Sequence, residues 1–251
     1  MIELINVNAG YSKSTVLKDV NLNFKEGEVT AVLGSNGSGK STLLKLLAGR
    51  INLLSGEVKI DGKDLSKFSG KALARKVSVL PQIRNVPSMS CEMLVSHGRF
   101  PYLTFPRKLS ETDKEIIAQS MEKMDVLRFK NQNTENLSGG ERQRVYIAMM
   151  LAQQGDIMLF DEPTTYLDTK SQFDIISMIA SLKEKEKTVV AVLHDIISAL
   201  TIADKIVYLD KGKVIFNGNK EEFIRSKIPN DKLGVLICKD KDNTYYLKRN
   251  V

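Results

Sequence analysis

Hydrophobic residues recur at two different spacings along the chain, and each spacing predicts a type of element. Alternating positions and short apolar runs predict strands at residues 2–7, 16–24, 29–33, 57–60, 77–80, 157–160, 189–193 and 206–209. Helical spacing predicts helices at 41–49, 110–124, 170–185 and 196–203. In the second half of the chain strands and helices alternate, which is typical of an α/β fold with a largely parallel sheet.

Residues 83–155 have a different character from the segments around them. Pro87, Pro101 and Pro106 interrupt the start of this segment, and Ser110 with Asp113 has the spacing of a helix-capping box. We therefore expect a helical segment that is inserted between two parts of an α/β core.

Composition places the chain among ordinary folded proteins. Apolar residues make up 42% and charged residues 27% of the 251 residues, which is enough for a sizeable core. The longest apolar run, at 145–152, is far shorter than the ~20 residues that cross a membrane, and the N-terminus lacks signal-peptide features. We therefore expect a cytosolic protein. The net charge of +7 forms no concentrated stripe, so we expect no nucleic-acid partner.

The segment 34–41, with the sequence GSNGSGKS, matches the phosphate-loop pattern G-x-x-x-x-G-K-[ST] in full. It follows a predicted strand and opens a predicted helix, which is the context that this motif requires. Glycines let backbone N–H groups approach phosphate oxygens, and the helix N-terminus adds partial positive charge. Lys40 would neutralise the β- and γ-phosphates, and the Ser41 hydroxyl would occupy one coordination position of Mg²⁺. The candidate phosphate-binding residues are Gly34, Ser35, Asn36, Gly37, Ser38, Gly39, Lys40, Ser41 and Thr42.

Two carboxylates follow the predicted buried strand at 157–160. Asp161 and Glu162 would emerge at the carboxyl end of that strand, where parallel sheets bind ligands. Asp161 would hold Mg²⁺, directly or through water, and Glu162 would orient or activate an attacking water. Neighbouring carboxylates resist joint ionisation unless a cation compensates, so the pair itself favours a bound cation.

A further motif, LSGGE at residues 137–141, precedes this acidic strand. The order of phosphate loop, Gln82, LSGGE, acidic strand and His194 resembles the ATP-binding subunits of ABC (ATP-binding cassette) transporters. The resemblance extends from Tyr11 to about Gly218. It implies an α/β P-loop NTPase cassette with a mostly parallel core sheet, an N-terminal antiparallel β subdomain and an inserted α-helical subdomain.

The resemblance also implies the limits of these parts within a single ABC ATPase domain. Residues 1–82 and 156–220 would form the nucleotide-binding core together with the antiparallel β subdomain. Residues 83–155 would form the helical subdomain that carries the signature motif, and 221–251 would be a C-terminal tail. That tail resembles the family poorly.

In this family two cassettes pair head to tail around two ATP molecules, which implies a homodimer in the ATP-bound state. The LSGGE motif of each chain then caps the γ-phosphate that the other chain's phosphate loop holds. Backbone N–H groups at a helix N-terminus form an anion site, so this role suits the motif. The implied nucleotide contacts across the pair come from Ser138, Gly139, Gly140 and Glu141.

Single residues take their expected roles from the same resemblance. Tyr11 matches the aromatic residue that stacks on adenine, and Asp168 matches the loop that crosses the dimer interface. Gln82 matches the glutamine that senses Mg²⁺ and the attacking water and links to the permease. His194 matches the switch histidine that contacts the γ-phosphate. The expected catalytic residues are therefore Glu162, His194, Gln82 and Lys40, with ATP and Mg²⁺ as cofactors and Ser41, Gln82 and Asp161 at the metal.

Two segments narrow the expected branch of the family. PTTYLD at 163–168 and HGRFPY at 97–102 resemble importers of iron–siderophore complexes, haem and cobalamin. Glu141 replaces the glutamine that is usual in that branch. We expect an ATPase at the cytoplasmic face of the cell membrane that acts on integral permease subunits, and indirectly on an extracytoplasmic solute-binding protein. Ferric siderophore is the first expected cargo, haem or cobalamin the second, and metal ions such as zinc or manganese the third.

Two other classes of function stay open at this point. A soluble cassette that acts on ribosomes or nucleic acid would carry the same motifs, but such relatives usually have two cassettes or a long coiled coil. A P-loop kinase or a small GTPase would share the phosphate loop. A kinase has no need for LSGGE, and the guanine-reading N-K-x-D pattern is absent from this sequence.

Overall fold

The computed structural model describes residues 1–11, 14–80, 86–241 and 244–249. Its strands are β1 (Ile2–Tyr11), β2 (Ser14–Phe24), β3 (Val29–Gly34), β4 (Leu53–Ile60), β5 (Lys63–Asp64), β6 (Val77–Leu80), β7 (Ile157–Asp161), β8 (Thr188–Val192), β9 (Lys205–Asp210), β10 (Lys213–Asn219), β11 (Val235–Lys239) and β12 (Tyr245–Arg249). Its α-helices are α1 (Lys40–Leu47), α2 (Gly70–Lys76), α3 (Cys91–Ser96), α4 (Glu111–Lys123), α5 (Gly139–Ala152), α6 (Thr169–Ser181), α7 (Ile196–Ile202), α8 (Lys220–Arg225) and α9 (Ile228–Leu233).

The central sheet has six strands in the order β10-β9-β3-β8-β7-β6. Each neighbouring pair from β9 to β6 is parallel, and β10 runs antiparallel at one edge. The prediction of a mostly parallel core sheet is therefore confirmed. Because the strands are parallel, β3, β7 and β8 end at the same edge of the sheet, and the loops that follow them leave from there.

A second, antiparallel sheet has four strands in the order β2-β1-β4-β5. This sheet confirms the expected antiparallel part at the N-terminus. Its inward side chains share one hydrophobic core with α1 and with one face of the central sheet. Helix α1 buries Leu43, Leu44, Leu46 and Leu47 in this core. The helix that follows the phosphate loop is thereby held by both sheets.

Helices α3 to α7 contribute to a second core on the opposite face of the central sheet. Along β8, Val189 and Ala191 belong to this second core, whereas Val190 and Val192 belong to the core that contains α1. A strand that is buried on both faces has a continuous apolar sequence, as β8 does. Within the described residues, no helix is both long and apolar enough to cross a membrane.

Most predicted elements agree with the observed ones within a few residues. The strand predicted at 77–80 is β6, and the helix predicted at 41–49 is α1. The helix predicted at 170–185 ends as α6 at Ser181, and a 3₁₀ turn continues it to Lys185. Strands β10, β11 and β12 and helices α2, α8 and α9 have no counterpart among the predicted elements. Their apolar positions are too few or too exposed to give a clear period.

A buried ion pair joins the helices between residues 91 and 152. Arg99 Nε donates to Asp113 Oδ1 at 2.8 Å, and the two side chains are 6% and 11% exposed. The Arg99 guanidinium also donates to the carbonyl oxygen of Ala152 at 2.8 Å and lies 4.0 Å from the ring centroid of Tyr102. Asp113 forms the predicted capping box of α4 with Ser110. Arg99 therefore connects the start of α4 to the end of α5.

Replacing Arg99 with alanine should lower the free energy of unfolding by about 3 kcal/mol, because Asp113 would stay buried without its cation. Urea-induced unfolding would measure this loss. The matched control is Arg128→Ala, since Arg128 pairs with Asp125 at 3.5 Å in an exposed position. That control should lose less than about 0.5 kcal/mol. Equal losses in the two variants would contradict the structural importance of the buried pair.

Candidate functional site

The phosphate loop connects the end of β3 to the start of α1 at Lys40. Gly34 has a φ of 150°, and a Cβ at this position would overlap the carbonyl oxygen of Leu209 in the neighbouring strand. Only glycine lets the loop leave the sheet this close to β9. The loop also contains a tight turn, in which the Ser38 N–H donates to the Ser35 carbonyl oxygen at 3.2 Å.

Lys40 lies folded back into this loop. Its Nζ donates to the carbonyl oxygens of Gly34 at 2.7 Å and Ser35 at 2.9 Å, and the residue is only 5% exposed. Burial lowers the pKa of Lys40, while the charges of Glu162 and Asp161 act in the opposite direction. Carbonyl oxygens of the phosphate loop therefore hold the ammonium group of Lys40, and two carboxylates lie near it.

A cavity of about 250 Å³ opens beside the phosphate loop. The loop and the first turn of α1 form one side, and Val16 of β2 and Glu162 contribute to the rest. Backbone N–H groups at the start of α1 and the Lys40 ammonium give this cavity the character of an anion site. Of the expected phosphate-binding residues, the cavity lining includes Asn36, Gly37, Gly39, Lys40, Ser41 and Thr42.

Asp161 ends β7 beside the first turn of α1. The Ser41 hydroxyl donates to Asp161 Oδ1 at 3.0 Å, so two of the three residues that are expected at a metal are in direct contact. Burial raises the pKa of Asp161, and the charge of Glu162 adds to this effect. The Ser41 hydrogen bond and the charges of Lys45 and Lys40 act against it. Asp161 is thus a half-buried carboxylate, and its hydrogen bond and the nearby lysines do not fully offset the cost of burying its negative charge.

Glu162 meets His194 across the ends of neighbouring parallel strands. Glu162 Oε1 lies 2.5 Å from His194 Nε2, and the Glu162 N–H donates to the carbonyl oxygen of Val192 at 3.1 Å. Glu162 adopts the left-handed backbone conformation with a φ of 53°, which is uncommon for residues other than glycine. This conformation turns the chain sharply after β7. His194 is 47% exposed and Glu162 15%, so the pair borders solvent.

Tyr11 lies at the end of β1 with 43% of its surface exposed. Lys45 of α1 places its Nζ 5.5 Å from the centroid of the Tyr11 ring, within the range of a cation–π contact. Lys45 was not among the sequence candidates. Its position on the same helix as Lys40 and Ser41, one turn further on, is the signal that could have identified it.

The LSGGE motif forms the N-terminus of α5. Ser138 caps the helix and shares a capping box with Glu141, in which the Ser138 hydroxyl donates to Glu141 Oε2 at 2.7 Å. Ser138 and Gly139 are exposed, whereas Gly140 packs against Ser171 of α6. None of these motif residues is among the described residues that line the phosphate cavity. Within one chain, the motif therefore does not contribute to the described lining of the phosphate cavity.

Asp168 caps α6 and is exposed. It accepts hydrogen bonds from the Ser171 N–H at 3.0 Å and from the Ser171 hydroxyl at 2.8 Å. Ser171 in turn packs against Gly140, so Asp168 and the signature helix are linked through one serine. Tyr166, which precedes this cap, is 95% exposed and has a φ of 64°. Its exposure is a feature that the sequence pattern alone does not reveal. Gln82 lies outside the described residues.

Replacing Asp161 with asparagine should stabilise the nucleotide-free protein at neutral pH. The raised pKa means that folding disfavours the charged form of Asp161. The resulting loss in the free energy of unfolding is fully present above the pKa of the folded state, and it disappears below the ordinary pKa of 3.8. Asparagine keeps an oxygen for the Ser41 hydrogen bond and carries no charge. We expect the unfolding midpoint at pH 7 to rise by about 2 °C. A lower midpoint by calorimetry would contradict this interpretation, and Asp125→Asn, at an exposed site, is the control.

Comparison with known proteins gives one consistent result. A family profile described as ABC transporter matches residues 17–165. The petrobactin import ATP-binding protein FpuD of Bacillus anthracis is 36% identical over 232 residues, which cover 92% of this chain and 85% of that protein. The ferric enterobactin transport ATP-binding protein FepC of Escherichia coli (strain K12) is 35% identical over 221 residues, which cover 87% of this chain and 82% of that protein.

A solved structure agrees with these sequence matches. It is a dimeric post-hydrolysis state of an ATP-binding cassette bound to ADP and Pi. It matches with a TM-score of 0.76 and 34% identity, and the match covers 87% of this chain and 98% of that chain. The chain therefore belongs to the ABC transporter family, and it is an ATP-binding, ATP-hydrolysing subunit of that family.

Proposed function

We propose that the phosphate loop binds the triphosphate of ATP in the cavity beside α1. Lys40 exchanges its two backbone acceptors for β- and γ-phosphate oxygens, and the N–H groups at the start of α1 complete the anion site. Tyr11 stacks on adenine once Lys45 has moved off its ring. The lining of the 250 Å³ cavity by six of the expected phosphate-binding residues supports this assignment.

Ser41 and Asp161 are proposed to hold Mg²⁺ together with phosphate oxygens. Hydroxyl and carboxylate oxygens are the donors that suit this ion, which usually retains several waters. The 3.0 Å contact between the two side chains and the raised pKa of the half-buried Asp161 both fit a site that a cation would stabilise. When bound, Mg²⁺ would neutralise charge on the β- and γ-phosphates. Gln82 is proposed as a further ligand.

Glu162 and His194 are proposed to carry out the hydrolysis step. Glu162 accepts a proton from the attacking water while the water oxygen forms a bond to the γ-phosphorus and the bond to the ADP oxygen breaks. His194 contacts the γ-phosphate and orients Glu162. The 2.5 Å contact between Glu162 and His194 at the edge of the cavity is the observation that carries this proposal.

A second copy of the chain is proposed to complete each site. Ser138 and the N–H groups of Gly139 and Gly140 form an exposed anion site that does not line the phosphate cavity of the same chain. A head-to-tail pair brings each motif to the partner's phosphate loop, with the loop before Asp168 at the interface. ATP binding then closes the pair and hydrolysis opens it, which is a bistable element able to drive a permease.

The proposed physiological role is to power import of a ferric siderophore through a separate membrane permease, from the cytoplasmic face of the cell membrane. The names of FpuD and FepC, which describe petrobactin import and ferric enterobactin transport, support this cargo class. The segments 97–102 and 163–168 resemble the same branch. The cassette itself would never contact the cargo, and an extracytoplasmic solute-binding protein would deliver it.

Replacing Glu162 with glutamine should lower kcat for ATP hydrolysis by about 100-fold or more, because the general base is lost. ATP affinity should stay close to that of the wild type, since the phosphate loop is unchanged. Steady-state phosphate release and nucleotide titration would measure the two quantities. The control is Glu57→Gln on β4, which lies outside the cavity lining. Intact turnover in Glu162→Gln would contradict the assigned mechanism.

Native membranes that contain tagged Glu162→Gln chain should yield a multi-span permease when they are solubilised gently with ATP. In cells that lack the chain, uptake of radioactive ferric siderophore should be lost and then restored by the wild type, but not by Glu162→Gln. Unchanged siderophore uptake with loss of haem or cobalamin uptake would reject the proposed cargo. Recovery of ribosomal proteins, or of no membrane protein, would reject the importer role while leaving the ATPase assignment intact.

A further inference from the structure

The turn between β9 and β10 contacts two other parts of the nucleotide site. Lys211 and Gly212 form this turn with φ values of 49° and 82°, as a two-residue hairpin turn of the common type requires. The Gly212 N–H donates to the carbonyl oxygen of Ser38 at 3.0 Å. The Lys18 N–H donates to the carbonyl oxygen of Gly212 at 2.8 Å. One residue thus joins the phosphate loop to β2 through its own backbone.

Gly212 is in a place where no side chain fits. A Cβ built at this position would overlap the carbonyl oxygen of Val16, which belongs to β2. The collision is with backbone, so rotation of a side chain cannot relieve it. Ser38 is only 2% exposed, so water cannot easily replace the Gly212 N–H at its carbonyl oxygen. The absence of a Cβ at residue 212 is therefore a condition for the contact between the two segments.

The three segments are also packed closely around the cavity. A Cβ built on Gly39 would lie 3.0 Å from Leu17 Cδ2 and 3.8 Å from the Cα of Gly212. Val16 faces the same space and is part of the cavity lining. A displacement of β2 away from the turn would therefore move the wall of the cavity relative to the phosphate loop.

We propose that Gly212 is a positioning residue. It sets the distance between Val16, which lines the cavity, and the phosphate loop, and it thereby sets the affinity for nucleotide. It acts through Val16 and Ser38 and touches no reacting atom. Glu162 and His194 follow other strands, so the chemical step should depend less on Gly212 than nucleotide binding does. This inference goes beyond the proposed function and rests only on the nucleotide-binding part of it.

The chain contains a matched control for this proposal. The turn between β4 and β5 consists of Asp61 and Gly62, with φ values of 50° and 74°, so it has the same backbone signs as the turn at Lys211 and Gly212. A Cβ built on Gly62 meets no atom within 4 Å. Gly62→Ala therefore carries the backbone strain of alanine in the left-handed region without a collision. Gly212→Ala carries both this backbone strain and the collision with the Val16 carbonyl oxygen.

The test measures the Kd for ATP by titration, and KM and kcat for hydrolysis, in the wild type, Gly212→Ala and Gly62→Ala. We expect the Kd and KM of Gly212→Ala to rise about tenfold, because the added Cβ would push Val16 and the phosphate loop apart and weaken contacts with nucleotide by about 1.4 kcal/mol. We expect its kcat to change much less. Gly62→Ala should bind ATP as the wild type does. Equal affinities in the two variants, or a loss of kcat without a change in KM, would overturn the proposal.

A measurement on the wild type alone covers the case in which Gly212→Ala does not fold. Binding of ATP should slow amide hydrogen exchange in peptides from 14–24 and 205–219, but not in the control hairpin at 53–64. Protection that is confined to the phosphate loop would overturn the inference. Wild-type protein that does not bind ATP at all would instead reject the proposed function, so the two failures can be told apart.

Discussion

The parallel pairing of β3, β8 and β7 is the constraint on which the rest of the site depends. In a parallel sheet the chain leaves every strand at the same edge, so segments that are far apart in sequence meet there. The phosphate loop after β3, the acidic pair after β7 and His194 after β8 are brought together in this way. The two hydrophobic cores on either face fix the register of these strands, since each strand buries alternate residues in each core.

The charged groups at this edge of the central sheet favour the binding of a ligand over the stability of the ligand-free protein. Lys40, Asp161 and Glu162 lie close together, and burial works against the charged form of both Lys40 and Asp161. Asp161 still accepts a hydrogen bond from Ser41, and Glu162 contacts His194 and accepts a hydrogen bond from Thr165. Such partial compensation is common where a protein binds charged phosphate and a cation, because the ligand supplies the missing charge.

The sequence predicts the part of this structure that has strong local signals. Short apolar strands, the GSNGSGKS loop and the Ser110 capping box each depend on neighbouring residues, and the structure contains all of them. Contacts that depend on tertiary packing are different. No local pattern predicts that Gly212 meets Val16, that Arg99 is buried with Asp113, or that Lys45 covers the ring of Tyr11. The sequence does not predict β10 and β11 because apolar residues occupy both their packed and their exposed faces, such as Phe216 and Ile215 of β10, so no hydrophobic period marks them.

Four side chains that are proposed to meet the nucleotide or its metal have partners already in this structure. Lys40 is bound to two loop carbonyl oxygens, the Ser41 hydroxyl to Asp161, the Ser138 hydroxyl to Glu141, and the Tyr11 ring to Lys45. For these side chains, nucleotide binding would therefore be an exchange of one contact for another. The net affinity is the difference between two sets of similar interactions. This lets the same residues release the products after hydrolysis, because each of them has an internal partner to return to.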